Sequence, residues 1–377
     1  MPATASESLY RRLQQHLDRM PVGFPATQSG VEIRILQRLF TPDEAEIALE
    51  LSAIPEPAAT IHKRFKSRMA LPELKQKLDR MAEKGNILAW PIEGEVRYAK
   101  MIFAIGMYER QVKKLTPEFE RDTRQYMEEA FGQAFHTRKT TQLRIVPVNK
   151  RIAVERGVTT YDQIRAHVEA SPGPFAAIPC ICRSGQDLLG ESCKQTKLRD
   201  NCLMIGMAAR WAADSGMGWT ISREEMLDLL DQADKEGLVL EPENTKSPMF
   251  VCCCCGCCCN VLQSAKRLPN PADYFSSNFY AAVAPDVCES CGTCEVRCQM
   301  EAISSTEGKA VVDRLRCIGC ALCVTTCPSG ALRLEPNEKP RIPPDDTQAL
   351  YLKILQDRFG PWGMAKLGMK KMLGLKI

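Results

Sequence analysis

The sequence predicts an α+β multidomain chain: a mainly helical N-terminal half, a cysteine-rich helical middle and a small C-terminal domain built on a duplicated cysteine run. Three observations carry this. At 377 residues the chain exceeds what one small core organises, so two or three domains are expected. The first 179 residues contain no cysteine and show helical spacing of apolar side chains. All 19 cysteines lie between Cys180 and Cys327, and the last eight repeat one spacing twice.

Composition removes several classes. Apolar residues make up 45% and charged residues 25%, as in folded globular proteins, so neither disorder nor a collagen-like repeat fits. No apolar run reaches 18 residues and the N-terminus lacks a basic start followed by an apolar stretch, so a spanning helix and a secretory signal are not expected. The net charge of +4 is too mild to imply nucleic acid by itself. A cytoplasmic setting follows, where disulfides do not persist and dense cysteine points to metal or redox chemistry. With only four histidines, all upstream of Cys180, ligation would be by thiolate, which suits iron–sulfur clusters, zinc or copper(I).

Within residues 1–146, Thr41-Pro42-Asp43-Glu44 reads as a capped helix start, running on until Pro55 and Pro57 stop it. A short helix over Thr60–Phe65 follows. A second starts at Leu71-Pro72, with Leu74, Leu78 and Met81 on one face and Gly85 as its C-terminal cap. Ile87–Trp90 and Val96–Ile102 read as a hairpin around Pro91–Glu95. Helix, helix–turn–helix and hairpin is the order of a winged helix, whose second helix can read DNA. Ten Lys/Arg against five Asp/Glu from His62 to Lys100 would suit phosphates, while a docking module with solvated charges is the plainer alternative.

The middle segment, 147–284, alternates helical stretches with cysteine clusters, and Ser222-Arg223-Glu224-Glu225 caps one of its helices. A dicluster segment spans 285–336, and 337–377 is a proline-rich joint with a basic amphipathic tail. Between Thr347 and Ile377 the tail carries Lys353, Arg358, Lys366, Lys370, Lys371 and Lys376 against Asp357. Gly360-Pro361 divides it, so two short helices are expected, docking on the protein or lying on an anionic membrane surface.

The strongest signal is Cys288-x-x-Cys291-x-x-Cys294-x-x-x-Cys298, repeated as Cys317-x-x-Cys320-x-x-Cys323-x-x-x-Cys327-Pro328. From about Val283 to Leu334 the chain resembles the bacterial dicluster ferredoxins, in which three cysteines of one run and the fourth of the other hold each cluster. The resemblance implies a first [4Fe–4S] cluster on Cys288, Cys291, Cys294 and Cys327, and a second on Cys317, Cys320, Cys323 and Cys298. The fourth cysteine is expected at the start of the next helix. Gly292 and Gly319 are expected where backbone nears a cluster. Gln299 departs from the family's Cys-Pro ending, without removing a ligand.

Eleven cysteines remain. Cys180, Cys182, Cys193 and Cys202, with Cys252, Cys254, Cys255, Cys257 and Cys258 of the run Cys252-Cys253-Cys254-Cys255-Gly256-Cys257-Cys258-Cys259, are candidate ligands of a further centre. Adjacent side chains of an extended segment face opposite ways, so the run cannot all bind one ion. A third iron–sulfur cluster, zinc and thiol redox chemistry stay open, and Cys253 and Cys259 look dispensable. The whole chain also resembles a group of anaerobe iron–sulfur proteins, through Phe40–Glu46, Pro179-Cys180-Ile181-Cys182-Arg183, the Cys252–Cys259 run and the dicluster segment. That resemblance supplies architecture but no reaction.

No glycine-rich phosphate loop, zinc-protease motif or haem-attachment motif occurs. The expected function is therefore single-electron transfer between partner oxidoreductases, as a carrier or as a subunit of a larger complex. A redox-sensing DNA-binding regulator and a reductase acting at the middle site are the alternatives.

Overall fold

The computed structural model describes residues 5–65, 68–148, 160–373 and 375–376. Lys66, Gly374, Ile377 and the side chain of Lys371 lie outside the described residues. The chain forms two compact units, Met1–Phe135 with Ile354–Ile377, and His136–Lys353.

In the first unit the Thr41 hydroxyl and the Glu44 carboxylate cap each other's backbone N–H, starting helix Pro42–Leu49. That helix ends at Leu49, short of the two prolines, because Lys100 N–H and the Ser52 carbonyl draw the chain into an extended path. Strand β1 (Glu56–Pro57) and helices Ala58–His62 and Leu71–Glu83 follow. Leu74, Leu78 and Met81 are fully buried on one face, as their spacing requires. Past that helix, Gly85 takes φ +84° while Asn86 N–H bonds Met81 O and Gly85 N–H bonds Ala82 O, a left-handed cap. Strands β2 (Ile87–Ile92) and β3 (Glu95–Lys100) pair through a two-residue turn, Glu93-Gly94, with both residues at positive φ. Pro91 sits inside β2, at the sheet's edge in the order β1-β3-β2.

The second unit corrects the expected helical middle. Its frame is a five-stranded antiparallel sheet, ordered β6-β4-β5-β8-β7, of β4 (Phe175–Ile178), β5 (Cys202–Ile205), β6 (Trp219–Ile221), β7 (Val239–Pro242) and β8 (Phe250–Cys254). Every residue of β4 and β7 is buried, so these short runs show no polar alternation to mark them as strands. Helices Ile164–Ala170, Met207–Asp214 and Arg223–Lys235 flank the sheet. Beyond it, β9 (Phe279–Val283) pairs with β12 (Leu332–Pro336), and β10 (Ile303–Thr306) with β11 (Lys309–Val312). Met300, Ala302, Ile318, Leu322 and Leu334 share one buried core with Leu203, Ile205 and Val251 of the sheet.

The helical run Thr347–Met372 breaks at Gly360 (φ 64°, ψ −178°), giving the two helices that Gly360-Pro361 implies. Within the first unit Arg358 donates to the Met20 carbonyl and pairs with Asp18, and Lys376 pairs with Glu50. No helix among the described residues is long and apolar enough to cross a membrane.

Candidate metal centres

Each duplicated run folds as a loop leading into a short helix, Thr293–Arg297 and Leu322–Thr325. The loops share a backbone signature. The residue before the second cysteine, Ser290 or Gly319, has φ of 60° or 70°, and the residue after it, Gly292 or Ala321, has 72° or 67°. Two left-handed residues curl three cysteines around a common point, and each run spends its glycine at a different one of the two positions. Open space surrounds the Cβ position at Gly292, whereas at Gly319 a Cβ would stand 2.0 Å from the Phe279 carbonyl oxygen. The close approach at Gly319 is thus to strand β9. The fourth cysteine also differs from expectation: Cys298 caps the C-terminal end of its helix and Cys327 follows the end of the other, since the three intervening residues complete only one turn.

The loops bring eight cysteines to two pockets. One is lined by Cys288, Cys291, Cys294 and Cys327, the other by Cys298, Cys317, Cys320 and Cys323. Each set takes its fourth member from the other run. The donor chemistry fits iron–sulfur clusters, with thiolate ligands and backbone amides aimed at sulfur. Ala281 N–H reaches Cys317 Sγ at 3.3 Å, and Ala302 N–H reaches Cys298 Sγ at 3.2 Å. The first pocket counts Ser290, Ser304, Ser305 and Ser329 among its lining residues, and Cys291 is exposed. The Thr293 hydroxyl beside Cys291 pulls its thiol down. The second is walled by Ala281, Met300, Ala302, Ile318 and Leu322, and burial raises the Cys317, Cys320 and Cys323 thiols.

The middle cysteines divide by strand periodicity. In β8, Cys252 and Cys254 share a face with Cys202 and Glu241, which pair with Cys252 from either side. Cys253 points to the opposite face, into the core with Val251 and Leu203. On the first face sulfur contacts run Cys180–Cys182–Cys259–Cys254–Cys252–Cys202. Glu241, Cys254 and Cys259 bring ligand atoms within 4.8 Å of one another, all buried. Among the described residues no nitrogen or oxygen donor reaches the Glu241 carboxylate, and burial lifts it well above the usual carboxylate range.

A second group forms past the strand. The turn Cys255-Gly256-Cys257-Cys258 meets Cys193 from the loop after helix Ile181–Leu188, and all four sulfurs lie within 4.8 Å of one another. Cys193 Sγ is 3.7 Å from both Cys255 Sγ and Cys257 Sγ, and Cys257 Sγ is 3.6 Å from Cys258 Sγ. Sulfur neighbours pull the Cys257 thiol down and push Cys258 up. Gly256 is obligatory here: its Cβ would stand 2.3 Å from the Gln299 carbonyl oxygen, and its N–H donates to Gln299 Oε1 at 2.7 Å.

Arg183 of the Pro-Cys-Ile-Cys-Arg stretch is buried beside both groups, bonding Asn201 Oδ1 and the Cys253 carbonyl. Burial works against its charge, but Cys180, Cys255, Cys254 and Cys193 outweigh it and hold the guanidinium protonated. Sequence reasoning singled out nine of these thiols without seeing their partition. It passed over Glu241, named Arg183 only as part of the Pro-Cys-Ile-Cys-Arg stretch, and set Cys259 aside with Cys253. The strand pairing that places Glu241 opposite Cys252 has no local sequence mark.

Residues 287–332 match the family model described as a 4Fe-4S dicluster domain. The chain is 40% identical over 58 residues to the Escherichia coli (strain K12) protein named "Putative electron transport protein YsaA"; this covers 15% of the chain and 36% of that relative. The match thus spans about a third of the relative's length. No solved structure matches. Residues 287–332 are therefore a 4Fe-4S dicluster ferredoxin domain.

Proposed function

We propose that the chain passes single electrons between partner oxidoreductases, through two [4Fe–4S] clusters and a further centre in the middle segment. The observation that carries this is the exchange of fourth cysteines between the two runs. Cys288, Cys291, Cys294 and Cys327 would hold one cluster, and Cys317, Cys320, Cys323 and Cys298 the other. When bound, each cluster supplies a one-electron couple. The chain's own residues set its environment: four serines and an exposed Cys291 at the first site, an apolar wall with amide donors at the second. Residues 285–336 serve exchange, 147–284 hold the further centre, and 1–146 is a docking module, with 337–377 as joint and tail.

Anaerobic purification with iron and sulfide counted, then EPR of the reduced protein, tests this. At least eight irons per chain are expected; a fully reconstituted preparation that stops at four rejects the two-cluster reading.

The redox-sensing regulator ranks second. Its support is the order helix, β1, helix, helix, β2–β3, which is that of a winged helix. Against it, Arg64, Arg68, Lys75, Lys77, Lys84 and Arg97 are already in ion pairs, and Lys100 is buried. The tail supports a peripheral membrane contact, since Trp362 and Met372 are 89% and 84% exposed among lysines. Deleting 347–377 should abolish co-sedimentation with anionic vesicles; binding that survives the deletion removes the tail as anchor.

A further inference from the structure

We infer that the middle cysteines form two separate sites, and that Cys193, Cys255, Cys257 and Cys258 hold a single tetrahedral zinc ion. The inference deepens the reading of a further centre and rests on it. Its basis is metric. A tetrahedron of thiolates at about 2.3 Å from zinc has edges of about 3.8 Å. The Sγ separations of 3.7, 3.7 and 3.6 Å match that edge. The dicluster domain supplies the contrast within the same chain. Neither of its four-cysteine sets draws its sulfurs within 4.8 Å of one another among the described residues, whereas this set does. The one is spaced for a cluster, the other for an ion.

The surroundings favour zinc. Four protein thiolates close the coordination sphere, the pattern of structural zinc rather than of an open reactive site. Cys255 and Cys258 are buried. From Glu191 to Asn201 the chain has no helix or strand, so an ion on Cys193 would fasten an irregular loop to the turn after β8. Zinc with four thiolates leaves net negative charge, and Arg183 stands buried beside Cys255 and Cys193 to balance it. The remaining group, Cys180, Cys182, Cys202, Cys252, Cys254 and Cys259 with Glu241, gathers at the sheet face that carries Cys252 and Cys254 and forms the other site.

The test uses the full chain, purified anaerobically. One zinc per chain is expected beside the irons, with a zinc-edge absorption spectrum showing four sulfurs at about 2.3 Å and no neighbouring metal. Cys193→Ser and Cys257→Ser should each lose that zinc to chelator at least tenfold more readily, with the reduced-state EPR signals of the dicluster domain retained. Cys182→Ser should keep it. Loss of iron instead of zinc from Cys193→Ser, a single iron at this site, or a zinc-edge spectrum with nitrogen or oxygen ligands overturns the assignment. Should the variants not fold, the wild-type spectrum alone decides. A four-sulfur zinc in a chain lacking the dicluster EPR signals would leave this inference standing and remove the electron-transfer reading.

Discussion

The two cysteine runs of the dicluster domain have identical spacing, equivalent left-handed positions and equivalent short helices, yet they build unlike pockets. Around Cys288, Cys291, Cys294 and Cys327 the wall includes four serines, and Cys291 is exposed. Around Cys298, Cys317, Cys320 and Cys323 it is apolar and joins the core of the five-stranded sheet. Spacing dictates how the loop curls. What lies beyond the loop dictates how deep the curl is set. For a redox pair this separates roles: an exposed centre suits exchange with a partner protein, and a buried one, whose added charge is costlier to hold, suits relay inward.

The sharpest way to break the comparison uses the glycines. Gly319→Ala should destabilise the second unit by about 3 kcal/mol or more, because its Cβ collides with backbone of β9 in addition to the left-handed cost. Gly292→Ala, in open space, should cost only about 1 kcal/mol. Anaerobic thermal melts followed by circular dichroism measure both, and equal losses would show that the two loops sit at equal depth. A smaller effect is expected at the cysteines. Cys323→Ser and Cys291→Ser should each erase one reduced-state EPR signal. Cys323→Ser should cost about 1–3 kcal/mol more than its counterpart, since its hydroxyl meets an apolar wall whereas Cys291 meets water. Matching melting temperatures would contradict the depth difference.

Legibility followed how local each device is. The capping boxes at Thr41 and Ser222, the Gly85 cap and the β2–β3 hairpin are made by neighbours in sequence, and could be read directly. The duplicated spacing marked the dicluster cysteines, and the resemblance implied which four would go together. The sheet could not, because β4 and β7 are buried along their whole length and lack alternation. The partition of the middle thiols follows from that sheet: strand alternation turns Cys253 into the core, while Cys259 returns beside Cys254 only after the turn at Gly256. Glu241 reaches the site through long-range pairing with β8, which no spacing announces.

Gln299, which stands where ferredoxins place proline, receives the Gly256 N–H and so ties the first run's end to the cysteine turn. Arg297 donates to the Lys235 carbonyl, and Thr325 to Asp234. Proline at 299 would offer no side-chain acceptor. The domain is therefore not a portable cassette. A ferredoxin grafted in its place would arrive without that acceptor, and this one, cut free, would bare the apolar side it now shares with the sheet. Exchange of this module between proteins by recombination would have to carry residues of both segments at once.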